Sequence, residues 1–99
     1  MYCTLDEVQH YTKLTNKYRG YDYYAKFTDA QYEATAKLIR FLCAKYNLPK
    51  TFLPETKRYN VLTATEFTAF SGIATHVNCR TDKVDIGPAF EWSKIINRL

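Results

Sequence analysis

The sequence predicts one small domain of the α/β class, with a small central sheet flanked by a long helix (about 29–46) and a C-terminal helix (about 88–98). The first supporting observation is composition: 46% of the 99 residues are hydrophobic and 16% are aromatic, which is enough for one core. The second is a helix-capping motif that is followed by an apolar pattern of helical spacing. The third is an aromatic, β-prone segment directly before that motif.

The long helix is predicted to begin at the capping box Thr28–Gln31, in which the Thr28 hydroxyl and the Gln31 side chain each accept a backbone N–H of the other. Apolar residues then recur at helical spacing, and Ile39 and Cys43 widen the stripe that they form: Ala34, Leu38, Phe41, Leu42 and Tyr46. The segment Asn47–Pro49 ends the helix, because proline cannot continue it.

Strands are predicted on both sides of this helix. Tyr21–Phe27 has the aromatic content of a strand, Asp6–Gly20 is interpreted as a loop or short hairpin, and Tyr2–Leu5 as the stub of a strand. Further along, Ile73–Val77 predicts a short buried strand that ends near His76.

Two shorter helices complete the predicted domain. A second box-like cap at Thr63–Glu66 opens a helix that runs to about Phe70. Pro88 suits the first turn of the final helix. One apolar face of that helix is formed by Phe90, Ile95, Ile96 and Leu99, with Trp92 near its edge.

The charge pattern permits an acidic partner without requiring one. The net charge is +4, from Lys and Arg that are scattered singly rather than in a run. Bacterial cell wall is polyanionic and would attract a basic protein, and nucleic acid is the rival on charge alone. The tyrosines at 18, 21, 23 and 24 could form a stacking platform, but we favour a sheet surface that is half buried against the long helix.

Cysteine spacing and hydropathy argue against a disulfide-rich protein, a cysteine-ligated metal ribbon and a membrane-spanning protein. Cys3, Cys43 and Cys79 have neither metal-ribbon nor disulfide-framework spacing, and Cys43 is expected in the core. The sequence contains no apolar run near the ~18 residues of a membrane span, and its first residues lack the pattern of a signal peptide. We therefore expect a soluble chain, which another segment or cell lysis would have to deliver if it works outside the cytoplasm.

The residues that indicate chemistry lie between positions 76 and 85. A histidine at the end of a strand, followed by a loop that returns a carboxylate, can supply two ligands to one zinc ion, here His76 and Asp85. Lys83 lies two residues before Asp85 and is therefore expected on the same side of an extended loop. This places a positive donor beside the predicted metal.

The order of these residues resembles a known family. His76, then Lys83-x-Asp85, then Gly87-Pro88-x-Phe90-x-Trp92 is similar to the closing motif of zinc-dependent N-acetylmuramoyl-L-alanine amidases. That family includes bacterial wall-recycling amidases, phage lysozyme-like amidases and animal peptidoglycan recognition proteins. Phe27–Gln31 and the connection at Asn47–Pro49 also resemble it, so the likeness covers most of residues 24–97.

The resemblance implies a role for each matching residue. His76 would be the second zinc ligand, Asp85 the third, and Lys83 the group that stabilises the oxyanion. Zinc in such enzymes lowers the pKa of a bound water to about 7 and polarises the scissile carbonyl. The bond cut would be the amide between N-acetylmuramic acid and L-alanine.

The sequence also departs from the family pattern. Ile86 stands where the family usually has proline, and the first zinc histidine, which the family carries on a strand upstream of the long helix, has no counterpart here. The chain is therefore expected to correspond to the C-terminal part of an amidase domain, truncated relative to the full domain. The departures leave a catalytically silent peptidoglycan-binding module as the alternative, and a nucleic-acid-binding domain as a third reading.

Four further residues are candidates for the missing zinc ligand and the water-activating acid. His10 could replace the first zinc ligand, although a solvated loop residue is the simpler interpretation. Cys79 could be a surrogate ligand, against the favoured interpretation of a semi-buried thiol. Asp6 or Glu7 could supply the acid that helps to activate water. Exposed sheet edges would allow self-association.

Overall fold

The computed structural model describes residues 3–99, and it confirms a mixed α/β fold with a small sheet, a long helix and a C-terminal helix. The strands are β1 (Tyr11–Tyr18) and β2 (Tyr21–Ala25), and the helices are α1 (Asp29–Tyr46), α2 (Ala64–Ala69) and α3 (Trp92–Ile96). Short 3₁₀ helices lie at Val8–His10, Glu55–Lys57 and His76–Asn78. Within the described residues, none of the helices combines the length and apolarity that a membrane crossing requires.

The sheet is a two-stranded antiparallel hairpin. Arg19 and Gly20 form its turn with φ of 53° and 87°, the left-handed conformation that the tightest hairpin turns require. The interpretation of Asp6–Gly20 as a loop or short hairpin is therefore wrong, because most of this segment is one strand, Tyr11–Tyr18, which pairs with Tyr21–Ala25. Of the predicted strand stub, Tyr2 lies outside the described residues and Cys3–Leu5 is not a strand.

The hairpin makes few contacts with α1. The expectation that the Tyr-rich segment is half buried against this helix is therefore wrong. The inner face of the hairpin packs instead on the C-terminal half of the chain. The Tyr18 and Tyr59 rings meet edge to face with centroids 5.8 Å apart. A Cβ atom at Gly87 would lie 3.6 Å from the Tyr24 ring, and the Arg19 guanidinium donates to the Thr81 carbonyl. The hairpin therefore contacts the loop that carries Asp85.

Helix α1 has the predicted bounds. Gln31 N–H donates to the Thr28 hydroxyl at 3.1 Å, and Thr28 N–H donates to the Gln31 side chain at 2.7 Å, which completes the capping box. The buried side of the helix consists of Tyr32, Ala36 and Cys43, with Ile39 partly buried. Of the predicted apolar stripe, Ile39 and Cys43 face the core, whereas Leu38 and Phe41 face away from it and are 56% and 59% exposed. Helix α1 thus has two apolar sides, and the chain itself covers one.

An aromatic cluster forms the centre of the core, and we define it as Phe27, Tyr32, Phe52, Phe90 and Trp92. Successive rings meet at centroid distances of 5.0 to 6.2 Å, mostly edge to face, the geometry that aromatic quadrupoles favour. Ile95 of α3 is fully buried beside it. The cluster joins α1 to the C-terminal segment.

The C-terminal helix is shorter than predicted, Trp92–Ile96 rather than about 88–98. Pro88 lies in a turn closed by the Phe90 N–H and the Gly87 carbonyl at 3.4 Å. Glu91 N–H then donates to the Tyr32 hydroxyl at 2.8 Å, and Glu91 keeps an extended backbone. The helix starts late because the Glu91 N–H donates to Tyr32 and not to a carbonyl of the preceding helical turn.

The predicted strand at Ile73–Val77 is also wrong. Ile73 forms a single parallel bridge with Phe52, and the chain turns into the 3₁₀ helix at His76. The cause is Asn78, whose side-chain oxygen accepts the Thr75 N–H at 3.0 Å and so bends the backbone. His76 therefore begins a turn instead of ending a strand.

Replacing Tyr32 with Phe tests the tie between α1 and the C-terminal segment. The ring stays in the core but the Glu91 N–H loses its acceptor, so we expect a loss of roughly 1 to 2 kcal/mol in the free energy of unfolding. Urea denaturation measures this loss. Tyr46→Phe is the matched control, because Tyr46 is 60% exposed and its variant should unfold like the wild type. Equal midpoints for both variants would contradict this role of the Tyr32 hydroxyl.

Candidate functional site

His76 and Asp85 meet on the surface of the protein. The Nδ1 atom of His76 lies 2.7 Å from Oδ2 of Asp85, and the two side chains are 65% and 60% exposed. A backbone bond from Val77 N–H to the Asp85 carbonyl, 3.1 Å long, holds the two segments side by side. Because an ionised carboxylate can only accept, the imidazole N–H donates in this pair.

The pair opens into a depression of about 390 Å³. Its other walls are mainly apolar, and they come from α2 and from the turns around the pair: Phe67, Ala74, Thr75, Cys79 and Ile86. The site is therefore wide and accessible, which suits a polymeric ligand better than a small enclosed one.

Asn78 positions the turn that carries His76, and the sequence analysis assigned it no role. It is 1% exposed, and its Nδ2 atom lies 3.2, 3.1 and 2.8 Å from the carbonyl oxygens of Lys57, Arg58 and Asn60. The backbone carbonyl of Asn78 accepts the Leu62 N–H at 3.0 Å. The signal in the sequence was the spacing Thr75-x-x-Asn78, which resembles a capping box without the usual Glu or Gln.

The charge on Asp85 is maintained by its neighbours. Partial desolvation acts to raise the pKa of this carboxyl, but the hydrogen bond from His76 and the attraction of His76 and Lys83 outweigh it, so the pKa is lowered. Lys83 is half buried and close enough to contribute to this attraction. The predicted grouping of Lys83 with Asp85 is consistent with this electrostatic contact.

The remaining candidates lie elsewhere. Glu7 and His10 line a second depression, next to the start of α1, and their side chains approach to 3.9 Å. Glu7 accepts the Thr4 hydroxyl at 2.8 Å, and this bond lowers the pKa of its carboxyl, as a bond from Thr4 does for Asp6. None of these side chains lines the depression of His76 and Asp85.

Cys79 does line that depression, but its thiol faces the backbone. The Sγ atom lies 3.6 Å from the Thr75 carbonyl oxygen, to which it donates. The residue is exposed, so the favoured expectation of a semi-buried thiol is wrong as to burial.

The donor set falls short of a catalytic zinc site. Such sites use three protein ligands, and in residues 3–99 no three His, Cys, Asp or Glu side chains come together in a way that could hold a metal ion. The described residues thus supply two convergent donors, one imidazole and one carboxylate. A carboxylate-bound imidazole is also the arrangement that orients a histidine as a general base.

Replacing Asn78 with Ala should destabilise the protein strongly. The change removes the side-chain bonds to the Lys57, Arg58 and Asn60 carbonyls and to the Thr75 N–H, and we expect a loss of roughly 2 to 4 kcal/mol in the free energy of unfolding. Urea denaturation gives the value, and Asn60→Ala, at an exposed position with one side-chain bond to the Thr56 carbonyl, is the control. A loss below that of the control would contradict the positioning role.

Glu66 makes a pH-dependent contribution to the stability of the fold. It pairs with Lys57, whose backbone carbonyl accepts a hydrogen bond from Asn78. The hydrogen bond from Lys57, with the backbone bond from Thr63, lowers the pKa of Glu66 from 4.5 to about 2. A carboxyl with a lowered pKa in the folded state adds stability that is present above the unfolded pKa and lost as pH falls through the folded one. The wild type should therefore lose more stability than Glu66→Gln between about pH 5 and about pH 2. Parallel profiles of unfolding free energy against pH would exclude this contribution.

Comparison with known proteins assigns no family and no function to this chain. No family model matches the chain, no curated protein matches it, and no solved structure matches its fold.

Proposed function

We propose that this chain is a zinc-dependent hydrolase of bacterial peptidoglycan and corresponds to the C-terminal part of an amidase domain. His76 and Asp85 would be two of the metal ligands, and Lys83 would stabilise negative charge on the scissile carbonyl oxygen. The observation that carries the proposal is the contact of 2.7 Å between an imidazole and a carboxylate that are nine residues apart in the chain. The bond cut would join N-acetylmuramic acid to L-alanine.

The surroundings of the pair support a wall substrate. The depression is open, so a glycan strand with its peptide stem can reach the two donors from outside. Phe67 and Ile86 offer apolar contact to the methyl groups of the lactyl and alanyl units. The net charge of +4 favours encounter with the polyanionic wall.

Lys83 is the residue proposed to act on the reacting carbonyl. A cation next to the developing oxyanion lowers the energy of the tetrahedral intermediate, and loss of one such donor typically costs about 10²- to 10³-fold in rate. Lys83 lies two residues before Asp85 and its charge helps to lower the pKa of that carboxyl, which supports a role beside the reacting carbonyl.

One observation favours a second function, a peptidoglycan-binding module without catalysis. The described residues supply two donors, whereas a catalytic zinc site uses three. Such a module would keep the open depression and the basic charge, and it would bind wall fragments without cleaving them.

Hydrolysis of purified peptidoglycan tests the proposal. The chain is incubated with wall and zinc, and the new amino group of L-alanine is measured. We expect His76→Ala and Asp85→Ala to abolish release, and Lys83→Met to lower the rate by about 10²- to 10³-fold. Asp82→Ala is the matched control, since Asp82 is a carboxylate of the same loop with 58% exposure and pairs with Arg80.

The outcomes separate the two functions. Release that persists in Asp85→Ala would contradict the amidase site. Absence of release, together with co-sedimentation with wall that is unchanged in His76→Ala, would leave the binding module.

A further inference from the structure

Cys79 follows His76 at a spacing that zinc sites use. Two ligands of one zinc ion are commonly separated by two to four residues, because a single turn can then present both of them. Here the two residues between the imidazole and the thiol are Val77 and Asn78. Both are buried, each 1% exposed, whereas His76 and Cys79 are exposed. The turn is therefore anchored in the protein while its two ends reach the surface.

The backbone of this turn aligns the two exposed residues. A 3₁₀ helix has three residues per turn, so side chains three positions apart lie one above the other. The 3₁₀ helix at His76–Asn78 continues into Cys79, whose N–H donates to the His76 carbonyl at 2.9 Å. Both residues line the same depression, and so does Asp85, which lies 2.7 Å from His76. An imidazole, a carboxylate and a thiol thus belong to one surface site.

The hydrogen bond that the thiol makes is weak. Its Sγ atom lies 3.6 Å from the Thr75 carbonyl oxygen, and a thiol is a poor hydrogen-bond donor. Because Cys79 is exposed, rotation about its Cα–Cβ bond gives the sulfur other staggered positions without repacking of the core. In residues 3–99 no three donors converge before such a rotation. The thiol is the donor of this depression that a small local movement can redirect.

The other cysteines and the other histidine are less suitable. Cys43 is 5% exposed and faces the core. Cys3 and His10 line the depression next to the start of α1, and neither lines the depression of His76 and Asp85. Of the cysteines in residues 3–99, Cys79 is therefore the one that shares a depression with the predicted ligands.

We propose that Cys79 is the third zinc ligand of this chain, in the role of the histidine that has no counterpart here. The inference rests on the proposed function, since it assigns the ligand that the site of two donors lacks. His76, Asp85 and Cys79 would hold the ion through an imidazole, a carboxylate and a thiolate, with the open position that catalytic zinc sites keep. The thiol loses its proton to solvent on binding, because the thiolate is the form that coordinates.

Titration of the full chain with Co²⁺ under reducing conditions tests the assignment. Co²⁺ accepts the nitrogen, oxygen and sulfur ligands that zinc accepts. A thiolate bound to Co²⁺ adds an intense near-ultraviolet absorption band that nitrogen and oxygen ligands do not give. We expect the wild type to show this band and Cys79→Ser to lack it. The dissociation constant of Cys79→Ser should rise by about a hundredfold, since loss of an outer-shell partner alone costs about 10- to 100-fold.

Cys3→Ser is the matched control, because Cys3 is also an exposed thiol but lies in the other depression. It should keep both the band and the affinity of the wild type. Circular dichroism checks that both variants are folded, which we expect because both positions are exposed.

The outcomes separate this assignment from the proposed function. Co²⁺ that binds without the thiolate band, and equally well to Cys79→Ser, would overturn the role of Cys79 and leave the pair of His76 and Asp85 as the site. A band that disappears in Cys3→Ser would also overturn it, by placing the metal in the other depression. A wild type that binds no Co²⁺ would overturn both this assignment and the proposed zinc-dependent function.

Discussion

The fold depends on the packing of the aromatic cluster, because both segments of the candidate site are anchored to it. Phe90 and Trp92 follow Asp85 by a few residues and lie in the cluster, so their burial fixes the end of the site loop. Phe52 packs on Trp92 and bridges to Ile73, three residues before His76. An imidazole and a carboxylate from two different turns can therefore meet at the surface of a chain that has only a small core.

Polar contacts set the finer geometry. The Asn78 side chain bonds to the Thr75 N–H and to carbonyl oxygens of the 57–60 segment, and the hairpin contacts the loop of Asp85 through Tyr24 and Arg19. A buried amide with all its hydrogen bonds made is costly to replace, since each lost bond leaves a desolvated group behind. The convergence of His76 and Asp85 is thus supported by more than the bond that they share.

Local signals predicted the elements that local contacts determine. The capping boxes at Thr28 and Thr63 gave the starts of α1 and α2 correctly, because each box is closed within four residues. Elements decided by distant contacts were missed. The late start of α3 follows from the bond between Tyr32 and Glu91, which are 59 residues apart, and an apolar run at Ile73 became a turn because Asn78 captures Thr75. Nor could spacing reveal which apolar side of α1 is buried, since the helix has two.

The proposed amidase site requires that His76 and Asp85 bind one metal ion together. Proton–nitrogen correlation NMR of the imidazole rings during zinc titration tests it most directly, because the chain has 2 histidines and His10, in a different depression, serves as an internal control. We expect the ring signals of His76 to shift at zinc concentrations that leave those of His10 unchanged. We expect the shift of His76 to be smaller in Asp85→Ala. Equal shifts of both rings, or an undisturbed His76, would contradict the proposed site.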